Sequence, residues 1–202
     1  MSSFMEIGRI YTRKRDIKSA IGNYQEALNY SLQNPEILRT LGLLYLTMKD
    51  NAKALDYLQQ ALKLEHKDPR TILAIGSLVQ DRGYNDKALS KYKVSAHYNP
   101  NSAELWNNIG MAYFGKKKYV AAISCLKKAQ YLEPFKWSIV FNLGLVHLSY
   151  RQYASAYHYF SASINLKGDN APAYMYMGIS LNRLKDFKNA HQAFERSLEM
   201  DK

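Results

Sequence analysis

Apolar and small side chains recur along the chain with a period of 34 residues. Counted from the start of each period, they occupy positions 4, 7, 8 and 11 in the first half and positions 20, 24 and 27 in the second half. Both sets have the three- and four-residue spacing of one face of a helix. The pattern therefore predicts two helices in each period, joined by a short turn, and an all-α fold.

The period divides the chain into six segments, referred to below as repeats one to six: 1–34, 35–68, 69–102, 103–136, 137–170 and 171–202. Proline or glycine lies near each boundary, as at Pro69 and Pro134, which is typical of turns between helices. No linker interrupts the repeats, so we predict a single array. The chain starts directly in a repeat and stops two residues before the sixth is complete, so we expect a segment of a longer array.

One glycine lies at position 8 of every repeat, although only 10 of the 202 residues are glycine. The six glycines are Gly8, Gly42, Gly76, Gly110, Gly144 and Gly178. An alanine follows each of them twelve residues later. Because glycine within a helix costs about 0.5–1 kcal/mol relative to alanine, its recurrence requires a compensating gain. We expect each glycine to let the second helix of its repeat, with its alanine, pack closely against the first.

Composition limits the classes of protein to which the chain can belong. The net charge is +11, from 28 basic and 17 acidic residues, which makes acidic proteins, nucleic acid and anionic membrane surfaces candidate partners. No apolar run reaches the 18 or more residues of a membrane-spanning helix. Cys125 is the only cysteine, so an internal disulfide is excluded and a reducing, cytoplasmic compartment fits.

The residues that carry catalysis or bind metals in other proteins show no such arrangement here. The five histidines lack metal-ligand spacing, and no glycine-rich loop that would cradle a phosphate is present. His147 lies at a core position, and Cys125 lies on a second helix where we expect a buried, inert thiol. We predict no catalytic site, no metal site and no cofactor, and therefore no enzyme.

The fourth repeat resembles the signature of the tetratricopeptide repeat (TPR) family, with Ile109 for the usual leucine and Leu126 for the usual phenylalanine. The matching residues are Trp106, Ile109, Gly110, Tyr113, Ala122, Leu126, Ala129 and Pro134. The resemblance implies a right-handed superhelical solenoid of six helix-turn-helix units. It also implies that the first helices line the inner surface of that superhelix.

Positions 2, 5, 9 and 12 of the first helices adjoin the packed face and carry many apolar residues in repeats two to six. They include Leu43, Leu46, Leu73, Asn107, Met111, Phe114, Phe141, Leu145, Leu148, Met175 and Ile179. Exposed apolar patches of this extent usually mark an interface, so we predict a partner-binding groove. The alternative is that these residues are core shared between neighbouring repeats.

Asn108 and Asn142 occupy position 6 of successive repeats, so we expect one to lie above the other. Side-chain amides can hydrogen-bond the backbone of an extended peptide without reading its sequence. A similar but longer asparagine ladder lines the TPR superhelix of O-linked N-acetylglucosamine transferase. Two solvated asparagines remain the alternative.

Every predicted turn between paired helices carries at least one cation. These are Lys14, Arg15, Lys49, Arg82, Lys116, Lys117, Lys118, Arg151 and Lys185. We expect a basic edge, softened by acidic neighbours at Asp16, Asp50 and Asp186. Such an edge is either simply solvated or contacts an acidic partner or anionic lipid. Nucleic acid is disfavoured, because the edge lacks interleaved exposed aromatic residues.

Residues beyond the TPR signature resemble the family of the fourth Bardet-Biedl syndrome protein, a TPR subunit of the BBSome. The likeness is carried by the runs 105–111, 114–127, 142–148 and 152–156. It implies a subunit of a coat-like complex that moves membrane proteins into and out of cilia. The implied partners are other BBSome subunits, including a small extended subunit and a second TPR subunit. The implied locations are the cilium, the basal body at its base, and centriolar satellites.

The sequence therefore favours a non-catalytic scaffold that holds partner subunits or an extended peptide in its concave groove. Two alternatives stay open. One is the substrate-recruiting TPR arm of an enzyme such as a protein glycosyltransferase. The other is a generic peptide-binding adaptor.

Overall fold

A computed structural model of the protein describes residues 2–200, with side chains from residue 3 onward. The outer limits of the first and last predicted repeats, residues 1, 201 and 202, lie outside the described residues. Every regular element between residues 2 and 200 is an α-helix. The helices are α1 Ser2–Arg13, α2 Ile17–Tyr30, α3 Pro35–Thr47, α4 Asn51–Leu64, α5 Pro69–Asp81, α6 Asn85–Tyr98, α7 Ala103–Gly115, α8 Tyr119–Leu132, α9 Trp137–Ser149, α10 Tyr153–Leu166, α11 Ala171–Arg183 and α12 Phe187–Met200. The predicted all-α fold of paired helices is confirmed.

The helices form two compact units, Met1–Pro100 and Asn101–Lys202, each built from three helix pairs. The first unit holds α1 to α6, and the second holds α7 to α12. Within each unit the two helices of a repeat pack on each other, and the second helix also packs on the first helix of the next repeat. The core of each unit is therefore continuous from repeat to repeat.

Side-chain caps and prolines set the start of several first helices. The side chains of Asn34 and Asp68 accept hydrogen bonds from the first-turn N–H groups of α3 and α5. A proline follows each of these caps at the first helical position, where the missing N–H has no cost. Ser102 caps α7 in the same way. At these three repeat boundaries, a capping side chain therefore explains where the first helix begins.

The predicted apolar positions are buried in most repeats. In the first unit Leu41 and Leu58 are fully buried, and in the second unit Leu143 and Phe160 are. Ile7, at position 7 of the first repeat, is an exception with 39% of its surface exposed. It is exposed because the extensive packing of α1, among the described helices, is against α2 alone.

The six periodic glycines mark the points where paired helices come closest. A Cβ added to Gly110 would lie 2.7 Å from Leu126 Cγ, and one added to Gly144 would lie 2.6 Å from Phe160 Cε1. The same contact recurs in the other four repeats at 2.4–2.8 Å, in each case with the side chain at position 24. The glycine is therefore packed against this large residue, and not primarily against the alanine at position 20 that we expected. No Cβ fits there unless the large side chain moves.

Candidate functional site

In the second unit, three side-chain amides form a hydrogen-bonded chain across two neighbouring first helices. Asn142 Nδ2 on α9 donates to Asn107 Oδ1 on α7 over 2.8 Å. Asn107 Nδ2 in turn donates to Asn108 Oδ1 over 3.2 Å. We call Asn107, Asn108 and Asn142 the amide cluster. Asn108 and Asn142 are thus linked through Asn107, which hydrogen-bonds both of them.

The amide cluster keeps unused hydrogen-bonding capacity. All three side chains are half-buried, and no residue in the described part of the chain pairs with Asn142 Oδ1 or Asn108 Nδ2. Asn107 and Asn108 also line a pocket of about 210 Å³ between α7 and α9. Glu104 and Lys136 lie at the same pocket and give it one charge of each sign. The free donor of the cluster, Asn108 Nδ2, therefore belongs to a residue that lines this polar depression. The free acceptor belongs to Asn142, which joins the cluster through its bond to Asn107.

The apolar residues predicted beside the amide cluster are mostly half-buried. Phe141 packs with its ring centroid 5.5 Å from that of Phe160 and 5.8 Å from that of Tyr176. Met111 and Phe114 pack against the buried cluster around Leu143. Leu145, Leu148 and Ile179 are half-buried as well.

Met175 on α11 is the most exposed apolar member of this set in the second unit, at 38%. The alternative of a shared core therefore describes Phe141, Met111 and Phe114 better than an open apolar strip does. A helical pattern alone places such residues at the edge of the packed face, and a residue there can be either buried in a shared core or exposed in a groove.

The first unit carries the remaining predicted groove residues. Leu43 on α3 is exposed at 40%, whereas Leu46 is half-buried against the core of this unit. Leu73 on α5 is half-buried too. Leu43 is thus the one of these three that is available to a partner.

The basic turns share a backbone conformation that the sequence reading missed. Five cations have φ between 58° and 66°, which is the left-handed region: Arg15, Lys49, Lys117, Arg151 and Lys185. The sixth turn uses Gly83, with φ of 82°, at the same position of its repeat, and Arg82 is its neighbour. A side chain in this conformation costs about 1–2 kcal/mol relative to glycine. The signal available in the sequence was position 15, which holds glycine in the third repeat and a lysine or arginine in the other five.

The acidic residues of the turns act as helix caps. Oδ1 of Asp16, of Asp50 and of Asp186 each accepts a backbone N–H bond of 3.1–3.2 Å from the residue three places later. Hydrogen bonds from the Ser19 side chain and from the Ser19 backbone N–H lower the pKa of the Asp16 carboxyl. In α6, α8 and α10 the capping position is held by Tyr84, Lys118 and Gln152, and no side-chain cap forms.

His147 has the surroundings of a core residue, whereas Cys125 is half-buried and not buried as expected. His147 is 8% exposed, its Nδ1 lies 2.6 Å from Gln152 Oε1, and its ring stacks on Tyr159 at 5.0 Å. Burial lowers the pKa of His147, which favours the neutral imidazole. Burial likewise raises the pKa of the Cys125 thiol. Between residues 2 and 200 no group of three potential metal ligands comes together.

No helix in the described part of the chain has both the length and the apolar character needed to cross a membrane.

Comparison with known proteins places these observations in a family. Models of the tetratricopeptide repeat family match residues 35–68 and 103–135, which are the second and fourth repeats. Among solved structures, the anaphase-promoting complex hetero-tetramer Cut9-Hcn1 matches with a TM-score of 0.92. That match covers 98% of this chain and 40% of that chain at 16% sequence identity, so it bears on the fold alone.

Several relatives are similar along nearly the whole chain, and two of them illustrate the match. BBSome complex member BBS4 of Xenopus tropicalis is 59% identical over 199 residues, covering 98% of this chain and 39% of the relative. The protein of the same name from Mus musculus is 48% identical over 200 residues, covering 99% of this chain and 38% of the relative. The chain thus spans about two fifths of the length of these relatives. It belongs to the tetratricopeptide repeat family and, within it, to the family of BBSome complex member BBS4.

Proposed function

We propose that this chain is part of a non-catalytic scaffold subunit of the BBSome, in which it holds other subunits of that complex. The name of the relatives, BBSome complex member, supports this assignment. A location at the cilium, its base and centriolar satellites belongs to the same proposal. A substrate-recruiting arm of an enzyme is not favoured, since the relatives are named as members of a complex.

The observation that carries the proposal is the amide cluster on α7 and α9. An extended backbone presents an N–H and a C=O from every second residue on one side, about 6.5–7 Å apart along the strand. Asn142 Oδ1 accepts such an N–H, and Asn108 Nδ2 donates to such a C=O. Neither bond requires a particular side chain on the bound segment.

The ligand that fits this chemistry is an extended chain, and the small extended subunit of the complex is the partner we assign to the amide cluster. Met175, which is exposed on α11 of the same unit, supplies a flexible apolar contact for that chain. The second TPR subunit is assigned to surfaces other than the amide cluster, since a folded helix array presents few free backbone groups.

Calorimetric titration of the purified chain with the small extended subunit tests the proposal. We expect saturable binding that weakens at least tenfold in Asn142→Ala, because the variant loses both the free acceptor and the bond that orients Asn107. Asn165→Ala, at an exposed asparagine of α10, is the matched control and should bind as the parent does. Phe141→Asp is unsuitable, since Phe141 packs on Phe160 and its loss would damage the fold.

Equal binding by the parent, Asn142→Ala and Asn165→Ala would remove the amide cluster from the interface. Absence of binding by a parent chain with an intact helical circular dichroism spectrum would count against the assigned partner.

A further inference from the structure

A second depression in the unit 101–202 lies between the turn that precedes α8 and the end of α9. Its volume is about 550 Å³, and its lining includes Lys117, Lys118, Tyr119, Val120 and Tyr150. The rings of Tyr119 and Tyr150 lie 5.6 Å apart, and Val120 is 69% exposed. We call this the turn pocket. It combines an open apolar floor with two ammonium groups.

Basic residues far outnumber acidic ones in the segment that contains the turn pocket. Residues 105–168 contain eight basic residues and a single acidic residue, Glu133. Glu133 already pairs with Lys136 at 3.0 Å. Within residues 2–200, neither Lys117 nor Lys118 forms an ion pair. Their charges are therefore available to an anionic ligand.

Both lysines occupy positions where local structure favours another residue. Lys117 has φ of 58°, a conformation that glycine adopts more readily. Lys118 stands at the cap of α8, where the equivalent residue of the sixth repeat, Asp186, accepts a capping bond. A cation at a helix N-terminus is also on the unfavourable side of the helix dipole. The left-handed φ recurs at the equivalent position of the other repeats, so it does not distinguish this turn. A cation at the capping position of a second helix does distinguish it, since the other repeats have Asp16, Asp50, Tyr84, Gln152 and Asp186 there.

We propose that the turn pocket binds an acidic segment of a partner protein that carries one apolar side chain. The apolar side chain packs on Val120 and between Tyr119 and Tyr150, while carboxylates on either side of it pair with Lys117 and Lys118. A peptide fits better than a lipid surface, because a single side chain can pack on Val120 while carboxylates on either side of it reach both lysines. The turn pocket shares no residue with the amide cluster, so this inference does not rest on the proposed function.

The test uses the whole 202-residue chain and an array of fluorescein-labelled ten-residue peptides. Each peptide carries four acidic residues around one central leucine, isoleucine, methionine or phenylalanine, and a matched set carries serine at the centre. Fluorescence anisotropy measures the affinity. We expect a subset of the apolar-centred peptides to bind, and their serine-centred counterparts to bind at least fivefold more weakly.

Variants then locate the binding. The double variant Lys117→Glu/Lys118→Glu should lose at least tenfold in affinity, and Val120→Ser should lose about threefold or more. Lys185→Glu, at the equivalent turn of the sixth repeat, is the control and should change the affinity less than twofold. Asn142→Ala should leave it unchanged, which separates this site from the amide cluster.

Three results would overturn the proposal. The first is that no acidic peptide binds better than neutral peptides do. The second is that serine-centred peptides bind as tightly as apolar-centred ones, or that Lys185→Glu loses as much affinity as Lys117→Glu/Lys118→Glu does. Either result would indicate general charge attraction. The third is that the Lys117→Glu/Lys118→Glu variant loses binding only to phosphatidylserine-containing vesicles and not to the peptides, which would assign the basic turn to a membrane surface.

Discussion

The side-chain amide of Asn142 reaches across to the preceding repeat and donates a 2.8 Å hydrogen bond to Asn107. The two residues are 35 positions apart, so the bond joins position 5 of one repeat to position 6 of the next. This offset, together with the neighbouring bond to Asn108, builds one connected polar cluster from three half-buried amides. A connected cluster holds its free donor and acceptor in fixed directions, which isolated surface asparagines do not.

Substitution of Gly144 by alanine should lower the free energy of unfolding by about 1–3 kcal/mol. A Cβ at this position would lie 2.6 Å from Phe160 Cε1, and that ring is held by Tyr176 at 5.7 Å, so it has little room to move. Urea denaturation followed by circular dichroism measures the change.

Gly22→Ala provides the control for this prediction. Nothing lies within 4 Å of a Cβ built at Gly22 on α2, so alanine should be neutral or stabilise by up to about 1 kcal/mol. Equal losses in the two variants would show that close helix packing is not why glycine occupies position 8.

Replacement of Lys185 by glycine should stabilise the fold by about 0.5–1 kcal/mol. Glycine adopts the left-handed conformation without strain, and this gain exceeds the cost of the greater conformational entropy that glycine gives the unfolded chain. The φ of Lys185 is 66°. The reciprocal change Gly83→Ala, at a φ of 82° with open space around the glycine, should destabilise by about 1 kcal/mol. Thermal unfolding of both variants beside the parent checks the pair. Opposite signs to those expected would mean that turn conformation does not limit stability here.

Loss of the Ser163 hydroxyl should cost about 0.5–1.5 kcal/mol of stability. The hydroxyl is fully buried and donates 3.2 Å to the backbone carbonyl of Trp137, which ties the second helix of the fifth repeat to the start of the first. Chemical denaturation of Ser163→Ala measures the cost, with Ser124→Ala on the exposed face of α8 as the control. A Ser163→Ala variant as stable as the parent would show that the bond contributes nothing net.

Stability should fall as the pH drops from about 7 towards 5, with His147 as one cause. Its pKa is lowered in the folded chain by burial, while the unfolded residue titrates near 6.5. The unfolded state therefore binds the proton first, so the stability present above pH 6.5 is lost as the pH falls towards the folded pKa. His147→Phe should flatten the dependence, since phenylalanine keeps the stacking on Tyr159 without titrating.

The control for the pH prediction is His97→Gln, at an exposed histidine. It should keep the slope of the parent between pH 7 and pH 5. If the dependence of stability on pH is unchanged in His147→Phe and is lost in His97→Gln, the effect belongs to His97 and the prediction is wrong.

Periodicity predicted the elements well because helix pairs and close glycine contacts leave a fixed spacing in the sequence. It did not predict the burial of Phe141, since a residue at the margin of a helical face is buried or exposed according to what the next repeat carries, here Tyr176. It also missed the role of Asn107, which shares position 5 with apolar residues of other repeats. The left-handed conformation of the turns was not predicted, because a lysine or arginine at such a position does not indicate a positive φ. Gly83, which occupies the position equivalent to Lys117, is the residue that does indicate one.

The central claim is that the amide cluster holds an extended partner, and site-specific photo-crosslinking tests it most directly. A photoreactive phenylalanine analogue is placed at exposed Glu104, which lines the same pocket as Asn107 and Asn108, at Met175 or, as the control, at Asn165, and the chain is mixed with the small extended BBSome subunit before irradiation. Crosslinks to that subunit are expected from positions 104 and 175 and none from 165. Crosslinks from 165 alone, or from none of the three positions in a complex that forms, would contradict the central claim.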